Sequence, residues 1–560
     1  MKEEKSVVST FWLSCASLFL SAAWLLPNHY PPWGSFHSDA WTGIVLFMLA
    51  VAVFLRIRKP LEWHPAPVFI AVFSLLPVLQ FVTGQIIFFG SVWIDVIYLV
   101  GFCLAMLLGV HWEKYDSGRC LDFLFLAIGA AAIVSVGIQL HQWFQLDTFE
   151  FWINAALGRP YGNLGQPNQL ASLLALALLG CMWAFKRGWL PCRIAIFLAA
   201  YFLFGISLSQ SRTGWLNVCI LLGSMFGWAF ATKNKRSAAV AISLAIFSIL
   251  CIAVLPKISS MMDLSGSYDL TDRFVDTARP AIWRMFADAV LEKPFFGYGW
   301  NQTLSAQFEV VIHHSRVAGI FAQSHNLFLD FLVWNGIPLG LPMILLVFWW
   351  CFLVVRAVKT VMDILPVLFL AVMGLHAMLE LPLHYAYFLL PVGLVVGVLN
   401  ERLKFHVLFS MPVWGTFAVL GITGMMLVIT VRDYVLTEES FYDLRFEKAR
   451  IQVKHKGTPP DVWALTQLRE MIIFGRVEAH EDMTEKEIAW MKNLTLEFPN
   501  PYNIQKLALA LALNHRGTEA QQSLRVLCQV FPVDICRGAK ITWSQLAQRN
   551  PAIASVAWPK

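Results

Sequence analysis

Charge is what this 560-residue sequence has least of. Asp, Glu, Lys and Arg make up 14% of it, against about 25% in a soluble domain. With 58% hydrophobic residues and a mean hydropathy of +0.61, that scarcity excludes an ordinary cytosolic enzyme and a disordered chain. The ten cysteines form no CxxC or Cys/His spacing, so neither a zinc knuckle nor a disulfide-stapled secreted domain is indicated. Eight of them, Cys15 to Cys351, lie in or beside apolar runs, where they read as small core hydrophobes. There is no Walker A sequence. The GxG in Pro294-Phe295-Phe296-Gly297-Tyr298-Gly299-Trp300 lacks a third glycine and a preceding strand, so it is no dinucleotide fingerprint. No acidic cluster stands out as a divalent-metal site.

What the chain has in abundance is apolar runs and aromatics, with 43 Phe and 23 Trp. Thirteen runs have the length of membrane spans: about 7–26, 41–55, 66–83, 92–111, 121–140, 168–185, 190–208, 214–231, 237–255, 338–355, 363–380, 385–400 and 409–431. The first is not an obvious cleaved signal peptide, because its small-residue stretch runs on into Trp24-Leu25-Leu26. The expected fold is an all-α polytopic membrane protein. If the N-terminus lies in the cytoplasm, the cytoplasmic pieces carry 17 Lys and Arg, and the short loops opposite carry two, Arg159 and Arg212. This places 27–40, 84–91, 141–167, 209–213, 256–337, 381–384 and everything after 431 outside the cytoplasm.

Composition shifts sharply near 432. Of the 78 charged residues, 32 lie in the last 129 positions. Four domains are expected: 1–255, an N-terminal transmembrane region with polar loops; 256–337, a large outer loop; 338–431, C-terminal transmembrane helices; and 432–560, a soluble helical domain. In the last, residues 461–474, 484–497, 501–514 and 517–530 alternate with helical spacing, a weak tetratricopeptide-like signal. Cys528 and Cys536 fall in this domain, and their spacing leaves a disulfide open.

The outer loops hold five polar clusters. The first is Arg159-Pro160-Tyr161-Gly162-Asn163-Leu164-Gly165-Gln166-Pro167-Asn168-Gln169. It is either a shaped turn with Asn168 capping the next helix or an amide-lined binding site. The second is Ser209-Gln210-Ser211-Arg212-Thr213-Gly214-Trp215, between two spans. Arg212 there either snorkels to headgroups or grips an anion, for which a guanidinium is well shaped. The third is a helix expected near 272–291. Arg273/Asp276 and Arg284/Asp288 read as surface ion pairs, which leaves Arg279, before Pro280, as the better ligand candidate. The fourth is Ser324-His325-Asn326, with Asp330 and Trp334-Asn335-Gly336-Ile337-Pro338 after it. Ser324 is expected to cap a short helix with His325 in its first turn, and Gly336 and Pro338 to end that helix. His325 is suited to proton transfer near neutral pH. The fifth is Glu380-Leu381-Pro382-Leu383-His384-Tyr385, whose Glu380 should face protein or water rather than lipid, and is placed to orient an arginine.

An enzyme acting outside the cytoplasm has no ATP. It needs an activated substrate, and a lipid-linked pyrophosphate fits arginines that hold a leaving group and a base that takes the acceptor's proton. As a set, Arg159-Pro160-Tyr161-Gly162-Asn163 with Gln166-Pro167-Asn168, Ser209-Gln210-Ser211-Arg212, and Ser324-His325-Asn326 with Trp334-Asn335-Gly336 resemble the O-antigen ligase/polymerase superfamily. With His29-Tyr30-Pro31-Pro32-Trp33 and Glu380-Leu381-Pro382-Leu383-His384-Tyr385, the match is best to its bacterial O-linked oligosaccharyltransferases, the pilin-glycosylating type. That resemblance implies en bloc transfer of a glycan from undecaprenyl pyrophosphate to Ser or Thr hydroxyls of periplasmic proteins. It implies no metal and no cofactor, and partners limited to the lipid-linked oligosaccharide, the acceptor protein and the bilayer, with no nucleic acid. It assigns catalysis to His325 and pyrophosphate binding to Arg212, Arg279 and Arg159. Asn163, Gln166, Asn168, Asn326, Glu380 and His384 fill out the polar site. Two readings compete. The same motifs would serve a ligase or polymerase with a carbohydrate acceptor, though the long soluble tail favours a polypeptide. A lipid-linked sugar transporter would instead place ionisable residues at mid-span.

Overall fold

The computed structural model describes residues 7–146, 148–149, 151–156, 158–264, 278–451 and 457–559. The chain is an all-α polytopic membrane protein. In order the helices are α1 (Thr10–Ser21), α2 (Phe36–Ile57), α3 (Pro65–Phe73), α4 (Leu76–Val82), α5 (Phe89–Tyr115), α6 (Arg119–Trp143), α7 (Pro167–Lys186), α8 (Cys192–Leu208), α9 (Arg212–Ala231), α10 (Lys235–Met261), α11 (Ala278–Glu292), α12 (Thr303–Val310), α13 (Leu327–Ala357), α14 (Val361–Ala377), α15 (Ala386–Arg402) and α16 (Val413–Ala449). The shorter α17 (Thr466–Arg476), α18 (Glu485–Glu497), α19 (Pro501–Leu513), α20 (Gly517–Val530), α21 (Val533–Ala547) and α22 (Pro551–Ala554) follow. Among the described residues the only strands are β1 (Leu61–Trp63) and β2 (Phe409–Met411), an antiparallel pair.

Every apolar run of the sequence is helical, and nine helices among the described residues, with α3 and α4 counted as one, are long and apolar enough to cross a membrane. Two runs depart from expectation. The 66–83 run breaks into α3 and α4, because Pro77 has no N–H to offer the carbonyl of Phe73. The 409–431 run begins as β2 rather than as helix. The helix α16 continues to Ala449, well past the shift in composition at 432.

The chain divides into two interleaved units: Met1–Phe73, Tyr98–Asp276 and Trp349–Leu427; and Ser74–Ile97, Thr277–Phe348 and Val428–Lys560. The first has a core of membrane-helix side chains, including Trp24, Trp112, Trp183, Phe202 and Phe369. Helices α5 and α15 meet backbone to backbone there. A Cβ on Gly109 would fall 2.2 Å from the Leu394 carbonyl oxygen, and one on Gly397 2.0 Å from that of Met106. With no hydrophobic force between helices in lipid, such close approach is what small residues permit. Charges kept inside are satisfied: buried Asp122 accepts from Trp183 Nε1 at 2.9 Å and Arg187 Nη2 at 2.7 Å.

The second unit packs α17 to α22 around Met491, Leu494, Leu511, Leu524 and Trp543. Local chemistry starts its helices. Thr484 and Glu487 make a capping box before α18, and Asn500 accepts from Asn503 N before Pro501 opens α19. One oxygen of buried Asp433, on α16, accepts from the backbone N–H groups of Trp463, Ala464 and Leu465 at 2.8, 2.6 and 3.2 Å. Glu447, further along α16, holds Arg476 at 2.9 Å. Cys528 and Cys536 form a disulfide.

Candidate functional site

In the first unit three of the five polar clusters are joined through side chains. Glu380, just after α14, accepts from Asn168 Nδ2 at 3.1 Å and Gln166 Nε2 at 3.4 Å. Ser211 Oγ donates to Asn168 Oδ1 at 2.7 Å and accepts from Gly214 N at 3.0 Å, which caps α9 directly beneath Arg212. Arg159 Nη1 donates to the carbonyl of Gln210 at 3.2 Å. Gln169 Nε2 donates to Gln166 Oε1 at 3.2 Å, and its own oxygen accepts from Tyr387 Oη at 2.8 Å. Asn168 therefore does not cap α7 as expected. Pro167, which needs no N–H partner, opens that helix after Gln166 at the cap position, and the Asn168 amide is released for Glu380 and Ser211.

Asn163 has a different place. It is 1% exposed, its Nδ2 donates to the carbonyls of Leu25 and Trp152 at 2.8 Å each, and its Oδ1 accepts from Asn154 N at 3.2 Å. Every atom of the amide is used to tie three loop segments together. Its backbone carbonyl lies 2.5 Å from His29 Nε2, and burial holds that imidazole below its ordinary range. His384 closes a short turn ahead of α15, and burial pushes its imidazole down to about 4, so it is neutral at neutral pH.

Two residues that carry this arrangement were not legible in the sequence. Gln142, at the end of α6, accepts from Tyr161 N and Gly162 N at 2.9 and 2.8 Å and donates to Gly162 O at 2.6 Å. Asp39, on α2, accepts from Ala386 N at 2.6 Å and Tyr98 Oη at 2.8 Å, fixing the start of α15. Gln169, already in the first cluster, ties it to the first turn of α15 through Tyr387. Single polar residues in apolar helices are the available signal, since each is costly there unless partnered.

In the second unit side-chain oxygens hold the histidine segment, and backbone groups lace the stretch that follows it. Asn326, not Ser324, caps α13: its Oδ1 accepts from Phe328 N and Leu329 N at 3.1 and 3.2 Å. His325 stands just before the helix with φ +57° rather than in its first turn. Ser324 N donates to Asp330 Oδ1 at 2.8 Å, so the chain doubles back before the helix begins. The helix turns sharply at Gly336 (φ +69°), which agrees with the end expected there. That glycine and Gly297 let two segments touch. Tyr298 N and Gly299 N donate to the carbonyls of Val333 and Trp334 at 2.9 and 3.0 Å, and Ile337 N to that of Pro294 at 2.7 Å. The side chain of Gln80, on α4, binds Trp300 N at 2.7 Å and Asn335 Oδ1 at 3.1 Å. The GxG thus serves close packing. Arg279 lies in the first turn of α11. Arg273 and Asp276 lie outside the described residues. Asp288 faces His314 at 3.3 Å rather than pairing with Arg284. The one His/carboxylate group of metal-site type among the described residues is Glu62, His64 and Glu401, at the far end of α15 from these clusters.

Comparison with known proteins agrees with the geometry. Three family models match: "Virulence factor membrane-bound polymerase, C-terminal" over residues 364–546, "O-Antigen ligase" over 194–344 and "Protein glycosylation ligase" over 160–183. The last match spans most of the first polar cluster. The chain is 27% identical over 409 residues, 70% of this chain and 72% of the other, to a ComP-specific O-oligosaccharyltransferase of Acinetobacter baylyi. It is 30% identical over 543 residues, 94% of each chain, to the general O-oligosaccharyltransferase of the same organism. A likeness that runs the length of both chains, and takes in the amide cluster, the arginine turn and the histidine segment alike, means that this protein belongs to the protein O-oligosaccharyltransferases of the O-antigen ligase superfamily and is a membrane glycosyltransferase.

Proposed function

We propose that this enzyme transfers a preassembled glycan en bloc from undecaprenyl pyrophosphate to Ser or Thr hydroxyls of periplasmic proteins such as a pilin. The observation that carries the reading is the linked cluster of the first unit. One carboxylate, Glu380, gathers amides from a distant part of the chain, and the same network caps the helix that begins at Arg212. Such a surface orders hydroxyl-rich and anionic groups rather than apolar ones.

In the reaction the acceptor oxygen forms a bond to the anomeric carbon, and the bond from that carbon to the pyrophosphate oxygen breaks. His325 takes the hydroxyl proton. Arg212 and Arg279, with Arg159, stabilise the departing undecaprenyl pyrophosphate. Positioned general bases contribute about 10²–10⁴-fold, and preorganised charge on a leaving group a comparable or larger factor. Gln166, Asn168, Glu380 and His384 shape the donor site, Asn163 holds the loop that presents it, and Asn326 caps the helix that follows His325. Transfer needs no metal.

Thirteen spans are proposed: the nine long apolar helices, three shorter apolar ones and α15. The N-terminus is cytoplasmic in the bacterial inner membrane. Residues 256–337 and the tetratricopeptide-like 432–560 domain are periplasmic, and the Cys528–Cys536 disulfide suits that oxidising compartment.

Intact-mass spectrometry of a co-expressed pilin, in cells supplying one defined lipid-linked glycan, tests this. A whole-glycan increment that disappears with His325→Ala at matched membrane level is expected. No increment with the unaltered enzyme would turn the acceptor toward lipopolysaccharide. An increment that survives the substitution would remove His325 from the mechanism.

A further inference from the structure

The group Glu62, His64 and Glu401 plays no part in the chemistry above. Each residue offers a donor atom, and the three atoms lie within 4.8 Å of one another. Glu62 is the middle residue of β1, His64 follows that strand directly, and Glu401 is in the last turn of α15. From the start of α15 near Tyr385 to Glu401 is about 22 Å along the helix axis, so the group stands apart from the glycan cluster.

His64 is the unusual member. It is 1% exposed, and neither ring nitrogen makes a hydrogen bond of normal geometry. The carboxylates of Glu401 and Glu62 bear on the ring, as do the backbone carbonyls of Phe405 and His406. A buried polar group left unmade costs about 1–3 kcal/mol. The bland account is two ion pairs, Glu62 with Lys114 and Glu401 with Lys404. It explains the carboxylates and leaves the imidazole unexplained. The Lys404 side chain is 76% exposed, and pairs of that kind contribute about 0–1 kcal/mol, so they yield readily. His111 is no competitor for the role. Its Nε2 accepts from Glu62 N at 2.9 Å and its Nδ1 donates to Leu107 O at 2.8 Å, which holds β1 in place.

We propose that Glu62, His64 and Glu401 bind one zinc ion. One imidazole nitrogen and two carboxylate oxygens form a three-ligand set of mixed hardness that suits zinc, with solvent in the fourth position. Zinc–ligand distances of about 2.0–2.2 Å require the donors to close in slightly, which rotation of the two carboxylates supplies. Two carboxylates balance the charge of the ion. A carbonyl from Phe405 or His406 accepting one ring N–H would orient the other nitrogen, the arrangement that ligating histidines use. The ion would clip the β1 segment to the end of α15, two parts of the chain far apart in sequence, and is structural rather than catalytic.

The test uses the full-length enzyme in detergent, without a polyhistidine tag, stripped by chelator and titrated with zinc chloride and, separately, magnesium chloride. Bound metal is measured by atomic emission after gel filtration, and unfolding by tryptophan fluorescence. About one zinc per chain is expected, with a higher unfolding temperature, no comparable effect of magnesium, and glycan transfer unchanged by stripping. His64→Ala and Glu401→Gln should weaken zinc binding at least tenfold. Glu62→Gln, at a partly exposed position that leaves the fold intact, should do the same and decides the matter if the other two fail to fold. Zinc uptake below a tenth of an ion per chain, equal binding by Glu62→Gln and the unaltered enzyme, or magnesium bound as tightly as zinc would each overturn the assignment.

Discussion

In the first unit Glu380, Asn168, Gln166, Gln169 and Ser211 hold one another through side-chain atoms. In the second, residues 294–299 and 333–337 are laced by backbone groups, with glycine at the crossing points. Side-chain hydrogen bonds can be exchanged one at a time for those of a ligand, because each group keeps its position when its partner changes. Backbone lacing cannot be exchanged without moving the chain. The first construction suits reception of a polar substrate, and the second suits fixing the far end of the helix that follows His325, the proposed base.

Substitutions can break that contrast at several strengths. Gly297→Ala should have the largest effect. Its Cβ would fall 2.5–2.6 Å from backbone atoms of Val333, Trp334 and Gly336 in a left-handed conformation, and none of these can give way. A cost above about 4 kcal/mol is expected, seen as loss of enzyme from the membrane on immunoblots. Glu380→Gln should leave membrane levels near normal yet lower transfer about 100-fold, since an amide nitrogen would then oppose one of the two amide donors. Rates measured on a synthetic acceptor peptide check it. Asn163→Ala removes three buried hydrogen bonds and should cost about 2–3 kcal/mol, read as a lower unfolding temperature with KM for the donor unchanged. An unchanged unfolding temperature with a raised KM would make it a substrate ligand instead.

Smaller effects sharpen the second unit. Asn326→Ala should lose about 1 kcal/mol of capping and slow transfer several-fold, with Asn326→Asp restoring both. Burial raises the carboxyl pKa of Glu497, which accepts from Ser91 Oγ at 2.7 Å. The folded chain therefore binds its proton more tightly than the unfolded chain does. Stability contributed there is present below the ordinary value of 4.5 and is lost as pH rises through the folded value. Thermal unfolding followed from pH 4.5 upward should show that decline, and Glu497→Gln should flatten it.

Much of this was legible in the sequence, for identifiable reasons. Apolar runs specify membrane helices because lipid leaves the backbone no other partner. Gly336 with Pro338 marked the turn in α13, and the clusters at 159–169, 209–215 and 380–385 stood out as polar groups between apolar runs. Roles within a cluster were less visible. Asn163 and Asn168 look alike in one dimension, yet one is consumed by loop backbone and the other meets Glu380, more than 200 positions away. The cap falls to Asn326 rather than Ser324 because the Ser324 hydroxyl donates to the Asn326 carbonyl at 3.0 Å instead of facing the first-turn N–H groups. Asp39, Gln80 and Gln142 are not legible because a single polar residue in an apolar helix names no partner. Glu62, His64 and Glu401 form no linear motif, and the antiparallel pairing of two three-residue strands is what brings the first two near the third.

The length of α16 has a mechanical consequence. Its 37 residues make a rod of about 55 Å, whereas a bilayer's hydrocarbon core is about 30 Å thick. By length alone the helix exceeds that thickness by roughly 25 Å. Its C-terminal stretch is stayed at two points within the second unit, by Asp433 to the 463–465 turn and by Glu447 to Arg476, about 21 Å apart along the axis. Two stays resist tilting where one would act as a pivot, so a pull on α17 is shared between both ends of that stretch.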